Sequence, residues 1–281
     1  MINPEQITAV VLAGGFGKRI QHLLPDIPKP MAPVNGRPFL EWVVRYLAAQ
    51  GIRRVILSTG HLANVIQRHF QSQPVQNVRV NCVPETKPLG TAGGFLNAIR
   101  GVEKSEAFLV LNGDSLAPAP LDEMFESLDG CDAPVAESPG AKTLPQQQIA
   151  GAILGVRVAD AARFGTISVN ENSGTGFQPV HGSQAGSLRH YGDLAGFSEK
   201  KPGAGVINAG VYLFRPSALE RFPDGTPLSF ETEVFPALIA GKVRLKVCVT
   251  DAPFLDIGTP ESLPLAEAFI RENAKFFDSS R

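Results

Sequence analysis

The chain has 281 residues, the size of one large or two small domains, and its 26 basic and 27 acidic side chains leave a formal charge of −1. Hydrophobic residues make up 43% and charged residues 19%. That composition excludes disorder over most of the length, and the balanced charge gives no electrostatic footprint for nucleic acid or an anionic membrane.

Cys82, Cys131 and Cys248 are odd in number and widely spaced, with no CxxC and no paired histidines at ligand spacing, which argues against a disulfide scaffold or a zinc site. No apolar run approaches the roughly 20 residues of a membrane helix. Residues 7–13 lack a preceding basic segment and run into Gly14-Gly15 and Lys18-Arg19, unlike a signal core. The expectation is a soluble, cytoplasmic protein, with self-association left open.

In the first half, short segments rich in β-branched and aromatic residues (7–13, 54–57, 78–83, 107–111) read as strands. Between them, Phe39, Leu40, Val43, Val44 and Leu47 follow helical spacing, opening after Pro38 and closing on Gly51. Similar spacing recurs over 62–70, 95–99 and 121–128. Strand–helix alternation predicts a mostly parallel sheet with helices on both faces. The second half adds strand-like runs at 149–158, 166–169, 206–214 and 243–249 and helices over 229–239 and 260–273, extending the same sheet. Residues 170–192, rich in Gly, Ser, Asn and Gln, read as a long loop insert, and 134–148 as a weaker one. With no internal repeat and no hexapeptide β-helix pattern, one domain over 1–281 with two inserts is expected.

The first strand runs into Leu12-Ala13-Gly14-Gly15-Phe16-Gly17-Lys18-Arg19, a glycine-rich turn at the carboxyl end of a parallel strand, where α/β sheets bind ligands. Glycines let backbone N–H groups approach phosphate oxygens, and two adjacent cations suit a polyphosphate. An ordinary strand-to-helix turn would read the same way in isolation. A dinucleotide fingerprint fits poorly, because Ile20 stands where close packing requires a small residue, and a Walker loop fails because Arg19 follows Gly17-Lys18 and Leu12 takes the place of its first glycine. Further on, Pro28 and Pro30 restrict the backbone on both sides of Lys29, so that cation is either aimed in advance or an incidental part of a rigid loop.

Taken together, LAGGFGKRI, IPKPMAPVNGRPFLEW, PLGTAGG (88–94), LNGD (111–114), FSEK (197–200), INAGVYLF (207–214) and FLDIGTP (254–260) resemble the sugar-phosphate nucleotidyltransferases. The resemblance runs from end to end apart from the two inserts, and the ordered set is far more specific than any one motif. Within that family the sequence is most similar to guanylyltransferases acting on D-glycero-D-manno-heptose 1-phosphate or mannose 1-phosphate. The resemblance implies a Rossmann-like three-layer α/β fold with a mostly parallel mixed sheet. The implied reaction is attack of a sugar 1-phosphate on the α-phosphorus of a nucleoside triphosphate such as GTP, giving an NDP-sugar and pyrophosphate. A uridylyl- or thymidylyltransferase, or a non-catalytic nucleotide-sugar sensor, is the alternative.

By the same resemblance Asp114 and Asp256 hold Mg²⁺, a pair of hard oxygen donors that suits this ion. Arg19, Lys29 and Asp114 form the catalytic group. The nucleotide falls to Leu12, Ala13, Gly14, Gly15, Gly17, Lys18, Glu85, Gly90 and Thr91, with Glu85 leaning toward guanine because one carboxylate can accept from both N1–H and N2–H. The sugar phosphate falls to Gly165, Glu199, Lys200 and Asn208. Taken singly, Asp114 and Asp256 could be cap or turn residues and Glu199 a solvated acid. Two departures from the family stand out: Lys18 replaces the usual Thr, and the 170–192 insert falls between Gly165 and Glu199. The five histidines form no visible cluster.

Overall fold

The computed structural model describes residues 2–17, 19–102, 104–129, 148–170, 189–198 and 202–278. In chain order the strands are β1 (Thr8–Ala13), β2 (Pro33–Val34), β3 (Arg37–Pro38), β4 (Arg54–Thr59), β5 (Arg79–Pro84), β6 (Phe108–Asn112), β7 (Ser115–Leu116), β8 (Gly151–Val158), β9 (Thr166–Asn170), β10 (Arg189–Ser198), β11 (Gly205–Phe214), β12 (Leu245–Thr250) and β13 (Leu255–Asp256). The α-helices are α1 (Phe39–Ala49), α2 (Ala63–Ser72), α3 (Thr91–Ala98), α4 (Asp122–Asp129), α5 (Phe235–Ala240) and α6 (Ala266–Glu272).

Nine strands form one sheet in the order β5-β4-β1-β6-β11-β8-β12-β10-β9. Neighbours among β5, β4, β1 and β6 are parallel, as are β8 and β12. Only β11 and β10 run against their neighbours, so seven of the nine strands point one way and the mostly parallel mixed sheet is as expected. Leu12 lies beside Ser58 and Asn112, and Thr59 beside Pro84. The loops that leave β1, β4, β5 and β6 therefore open on one edge, the carboxyl edge at which such sheets bind ligands. Antiparallel β11 enters the sheet at that same edge, with Val211 opposite Leu111.

Side chains alternate across each strand with period two, and both faces of the parallel part are covered. In β1, Ala9, Val11 and Ala13 enter one core with Phe39, Val43 and Leu47 of α1, while Val10 enters the other with Phe95, Phe214 and Phe230. Phe214 and Phe230 stack at 5.6 Å, and Phe230 lies 5.7 Å from Phe235. These rings fix a wide π-helical turn over Phe230–Val234, whose Ser229 Oγ accepts from the N–H groups of Glu231 and Thr232 before the chain enters α5. The single helix expected over 229–239 is thus two pieces.

The expected 170–192 loop needs correction at its ends. Asn170 closes β9, and 189–192 already belong to β10; residues 171–188 lie outside the described set, as do 134–147 of the other insert. The sequence RHYGDLAGFS hides this strand because two glycines break the alternation, and the pairing shifts register beside each of them. Its strand conformation comes from hydrogen bonding to β12 and β9 on either side, a tertiary effect absent from local pattern.

One charged residue is buried on the inner face of α1. Glu41 accepts from Arg37 (2.6 Å), Arg45 (2.9 Å) and His69 of α2 (2.9 Å). Burial alone would raise its pKa, but the hydrogen bonds from Arg45, His69 and Arg37, with the Arg37 charge, outweigh it and hold the carboxyl below its ordinary value of 4.5. A depressed folded-state pKa means that this contribution is fully present above pH 4.5 and is lost as pH falls through the lower folded value. Glu41→Gln is expected to cost about 2–3 kcal/mol in urea unfolding at pH 7, less than a fully buried pair because the cations reach solvent. The wild-type advantage should narrow below about pH 4, and an advantage that is independent of pH would contradict the ion network.

Candidate active site

At the carboxyl edge the glycine-rich turn after β1 meets two later segments. Residues 29–31 form a short 3₁₀ turn that begins at Lys29 after the extended Pro28. The two-stranded pair β7–β13 sets Asp256 opposite Ser115, and the Ile257 N–H donates to the Asp114 carbonyl at 3.0 Å. Two aspartates 142 positions apart in sequence thereby stand side by side.

Lys29 lies between them. Its Nζ donates to Asp114 Oδ2 at 2.6 Å and to Asp256 Oδ1 at 3.3 Å, and Asp256 Oδ1 also accepts from the Gly258 N–H at 2.6 Å. The lysine side chain is only 12% exposed, against 37% and 29% for the aspartates.

Two cavities meet at this pair. One, of about 370 Å³, is bordered by Leu12, Ala13, Gly15, Gly17 and Arg19 together with Lys29, Asp114 and Asp256. The other, also about 370 Å³, has Gly165 and Asn208 in its wall with Phe164, Phe197, Phe254 and Glu231, and it shares Asp114 and Asp256 with the first. A glycine-rich, cationic chamber and a chamber lined by aromatic and polar side chains are therefore joined at two carboxylates. Aromatic walls with a few fixed hydrogen-bonding groups are the usual make-up of a small-molecule site.

The remaining expected site residues are placed as follows. Glu85 stands behind the glycine-rich turn, where it accepts from Ser58 Oγ (3.0 Å) and the Leu89 N–H (3.2 Å) and packs against Gly14 and Gly94. Gly90 and Thr91 begin α3 outside both cavities and face the 228–231 segment. There Thr91 Oγ1 accepts from the Phe230 N–H at 2.9 Å and donates to Glu231 at 3.3 Å. Lys18, Glu199 and Lys200 lie outside the described residues.

Sequence reasoning missed Glu231, Tyr212 and Ser229, although it named Asn208 and Thr91, which bond to them. The Asn208 amide donates to Tyr212 Oη (2.8 Å), which donates to Glu231 Oε1 (2.9 Å), while Ser229 Oγ donates to Glu231 Oε2 (3.0 Å). Tyr212 is fully buried, and burial followed by the nearby Glu231 charge pushes its pKa well above the ordinary value, so it serves as a neutral donor. Nothing in SFETE distinguishes Glu231 from an exposed helix-start acid. Gly258 was missed too, although it lies within the FLDIGTP segment.

Among the described residues no group of three or more His, Cys, Asp and Glu side chains forms a metal cage, and no helix is long and apolar enough to cross a membrane. The Asp114–Asp256 pair does fit a hard cation, since oxygens from both side chains already converge on the Lys29 ammonium. Two carboxylates suit an ion that keeps waters and takes further ligands from phosphates.

Known proteins resemble most of this chain. The mannose-1-phosphate guanylyltransferase of Mycobacterium tuberculosis is 33% identical over 260 residues, covering 92% of this chain, which spans only 62% of that relative's length. The D-glycero-alpha-D-manno-heptose 1-phosphate guanylyltransferase of Campylobacter jejuni is 32% identical over 255 residues, covering 90% of this chain and 95% of its own. Among solved structures, HddC from Yersinia pseudotuberculosis complexed with GMP-PN superposes with a TM-score of 0.69 at 30% identity, covering 93% of this chain and 98% of HddC. The nucleotidyl transferase family model matches residues 8–273, from the first residue of β1 to just beyond α6, and the chain belongs to that family.

Proposed function

We propose that this chain transfers a guanylyl group from GTP to a mannose- or heptose-type sugar 1-phosphate and releases pyrophosphate. The observation that carries the reading is the pair of cavities joined at Asp114 and Asp256. One has the glycines and cations a triphosphate needs, and the other has the aromatic and polar walls that suit a sugar. The likeness to two guanylyltransferases and to HddC in complex with GMP-PN supports guanine and the sugar class.

The reaction needs no general base, because a phosphate monoester with a second pKa of about 6 is already mostly a dianion at neutral pH. Its oxygen forms a bond to the α-phosphorus as the bond to the β-phosphate oxygen breaks, and the electron pair leaves with pyrophosphate. What the protein must supply is in-line placement of two anions and neutralisation of charge. Arg19 takes the β and γ phosphates, and Lys29 takes the triphosphate near its α-phosphate. Asp114 and Asp256 would hold Mg²⁺, which when bound supplies positive charge shared by the phosphates on both sides. Asn208 and the Gly165 backbone take sugar hydroxyls, while Glu199 and Lys200 are assigned to the sugar and its phosphate by resemblance alone.

The test is pyrophosphate release with Mg²⁺ across GTP, UTP, dTTP, CTP and ATP, each with mannose, heptose, glucose and N-acetylhexosamine 1-phosphates. Turnover confined to GTP with a mannose- or heptose-type partner is the expected result. Turnover with a different base or sugar would replace the substrate assignment, and silence in every combination would overturn the activity.

Base choice is assigned to Glu85, whose carboxylate is oriented by Ser58 and Leu89 behind the glycine-rich turn. Glu85→Gln keeps the shape but replaces one acceptor with a donor facing guanine N1–H or N2–H. KM for GTP should rise about tenfold or more, the worth of a hydrogen bond to a charged acceptor, with KM for the sugar phosphate unchanged. An unaltered preference for GTP would remove Glu85 from base reading.

A further inference from the structure

Lys29 does more than wait for phosphate: its ammonium occupies the place between the two carboxylates where a cation belongs. We infer that in the nucleotide-free chain Lys29 is the resident counter-ion of the Asp114–Asp256 pair and competes directly with the divalent ion for it. The inference rests on the proposed metal role of the two aspartates.

Three features hold the ammonium there. Pro28 and Pro30 restrict the backbone around Lys29. The Gly17 backbone packs on the lysine stem, where an added Cβ would stand 2.8 Å from Lys29 Cβ. At the other end a Cβ on Gly258 would stand 2.7 Å from Nζ and 2.6 Å from Asp256 Oδ1, so a side chain there would have to push the ammonium or the carboxylate aside. With an Nζ to Oδ2 distance of 2.6 Å to Asp114, no metal ion fits between the groups until Lys29 moves. Like charges at such range repel strongly in a partly desolvated site.

A bound triphosphate changes the balance. Its oxygens offer Lys29 an alternative anion in the adjoining chamber, which already shares Lys29 with the pair. The lysine can then leave the aspartates without losing an ionic partner, and the carboxylates become available together with phosphate oxygens. Metal and nucleotide affinities are thereby coupled, each favouring the other, as linkage requires. In the nucleotide-free site Lys29 offsets one of the two carboxylate charges and orders the pair, and a stray divalent ion is kept out.

The experiment is a Mn²⁺ titration of the full-length, nucleotide-free protein, with free Mn²⁺ read by electron paramagnetic resonance. Lys29→Met and Lys29→Gln are compared with wild type after their thermal melts confirm folding. Both variants should bind one Mn²⁺ about tenfold or more tightly than wild type, and Asp114→Asn in the Lys29→Met background should abolish the gain. In wild type, a non-hydrolysable GTP analogue should produce a similar tightening, with the contribution of the analogue alone subtracted. Equal affinity of wild type and both lysine variants would overturn the inference, and so would a gain that survives Asp114→Asn. Because the lysine comparison uses neither GTP nor sugar phosphate, it can succeed when every substrate combination is silent, and it can fail when turnover is robust.

Discussion

Asp114→Asn is expected to lower pyrophosphate release by about a thousandfold while the melting temperature stays within a few degrees of wild type. The carboxylate is 37% exposed and its described side-chain partner is Lys29, so little folding energy depends on it. Asparagine preserves the size and one oxygen but removes the charge and one metal-binding oxygen. A preorganised charge or donor aimed at the reacting phosphates is worth about 10²–10³ in turnover, and weakening the hold on a Lewis acid adds to this. Asp256→Asn should behave similarly with a smaller loss, because Gly258 N–H still fixes one of its oxygens. The measurement is steady-state pyrophosphate release with saturating GTP and the preferred sugar phosphate, beside a thermal melt of each variant. Turnover within tenfold of wild type for Asp114→Asn would mean that charge on the phosphates is neutralised elsewhere. A collapse of the melt would make the residue a structural one.

How much of this site could be read from sequence depends on whether the chemistry is contiguous. The strand 7–13 and the glycine-rich turn after it are adjacent, so pattern and turn residues carry the whole message. Asp114 and Asp256 could be recognised as carboxylates that end apolar runs, but their meeting on Lys29 could not, since the partners lie 85 and 227 positions away. Long-range convergence is a property of strand order: β6 is central, and β7 and β13 fold together just beyond its end. Glu231 was illegible for a related reason. Its environment is made by Tyr212, Thr91 and Ser229 from three separate elements, and an acid at the start of a helical segment carries no mark of that. The strand β10 was hidden because its conformation is imposed by its neighbours while its own glycines argue for a loop.

The connection between the two chambers leads to a second large effect, at Gly90. Gly90→Ala should lower the melting temperature by about 3–5 °C and raise KM for both substrates, although the residue belongs to the expected nucleotide loop. Gly90 has φ +78, and an added Cβ would stand 2.4 Å from the Leu228 carbonyl oxygen and 2.8 Å from its carbon and nitrogen. All three are backbone atoms, which cannot yield as the end of a long side chain can. The same Leu228 docks on the start of α3: its carbonyl accepts from Ala92 N–H (2.9 Å) and Gly93 N–H (3.0 Å), and its N–H donates to Leu89 (2.8 Å). An alanine must push Leu228 away or strain these bonds, at a cost of about 2–3 kcal/mol, which in a chain of this size corresponds to the stated shift in melting. Displacing Leu228 drags Ser229 and Glu231 with it, and Glu231 borders the aromatic chamber assigned to the sugar. The control is Gly101→Ala, where φ is +80 but no atom lies within 4 Å of the added carbon. It carries the backbone strain without the collision, so it should cost only about 1 kcal/mol and leave both KM values unchanged. Indistinguishable behaviour of the two variants would show that the Leu228 docking does not tie the chambers together. A rise in KM for the sugar phosphate unique to Gly90→Ala would place that tie at the head of α3.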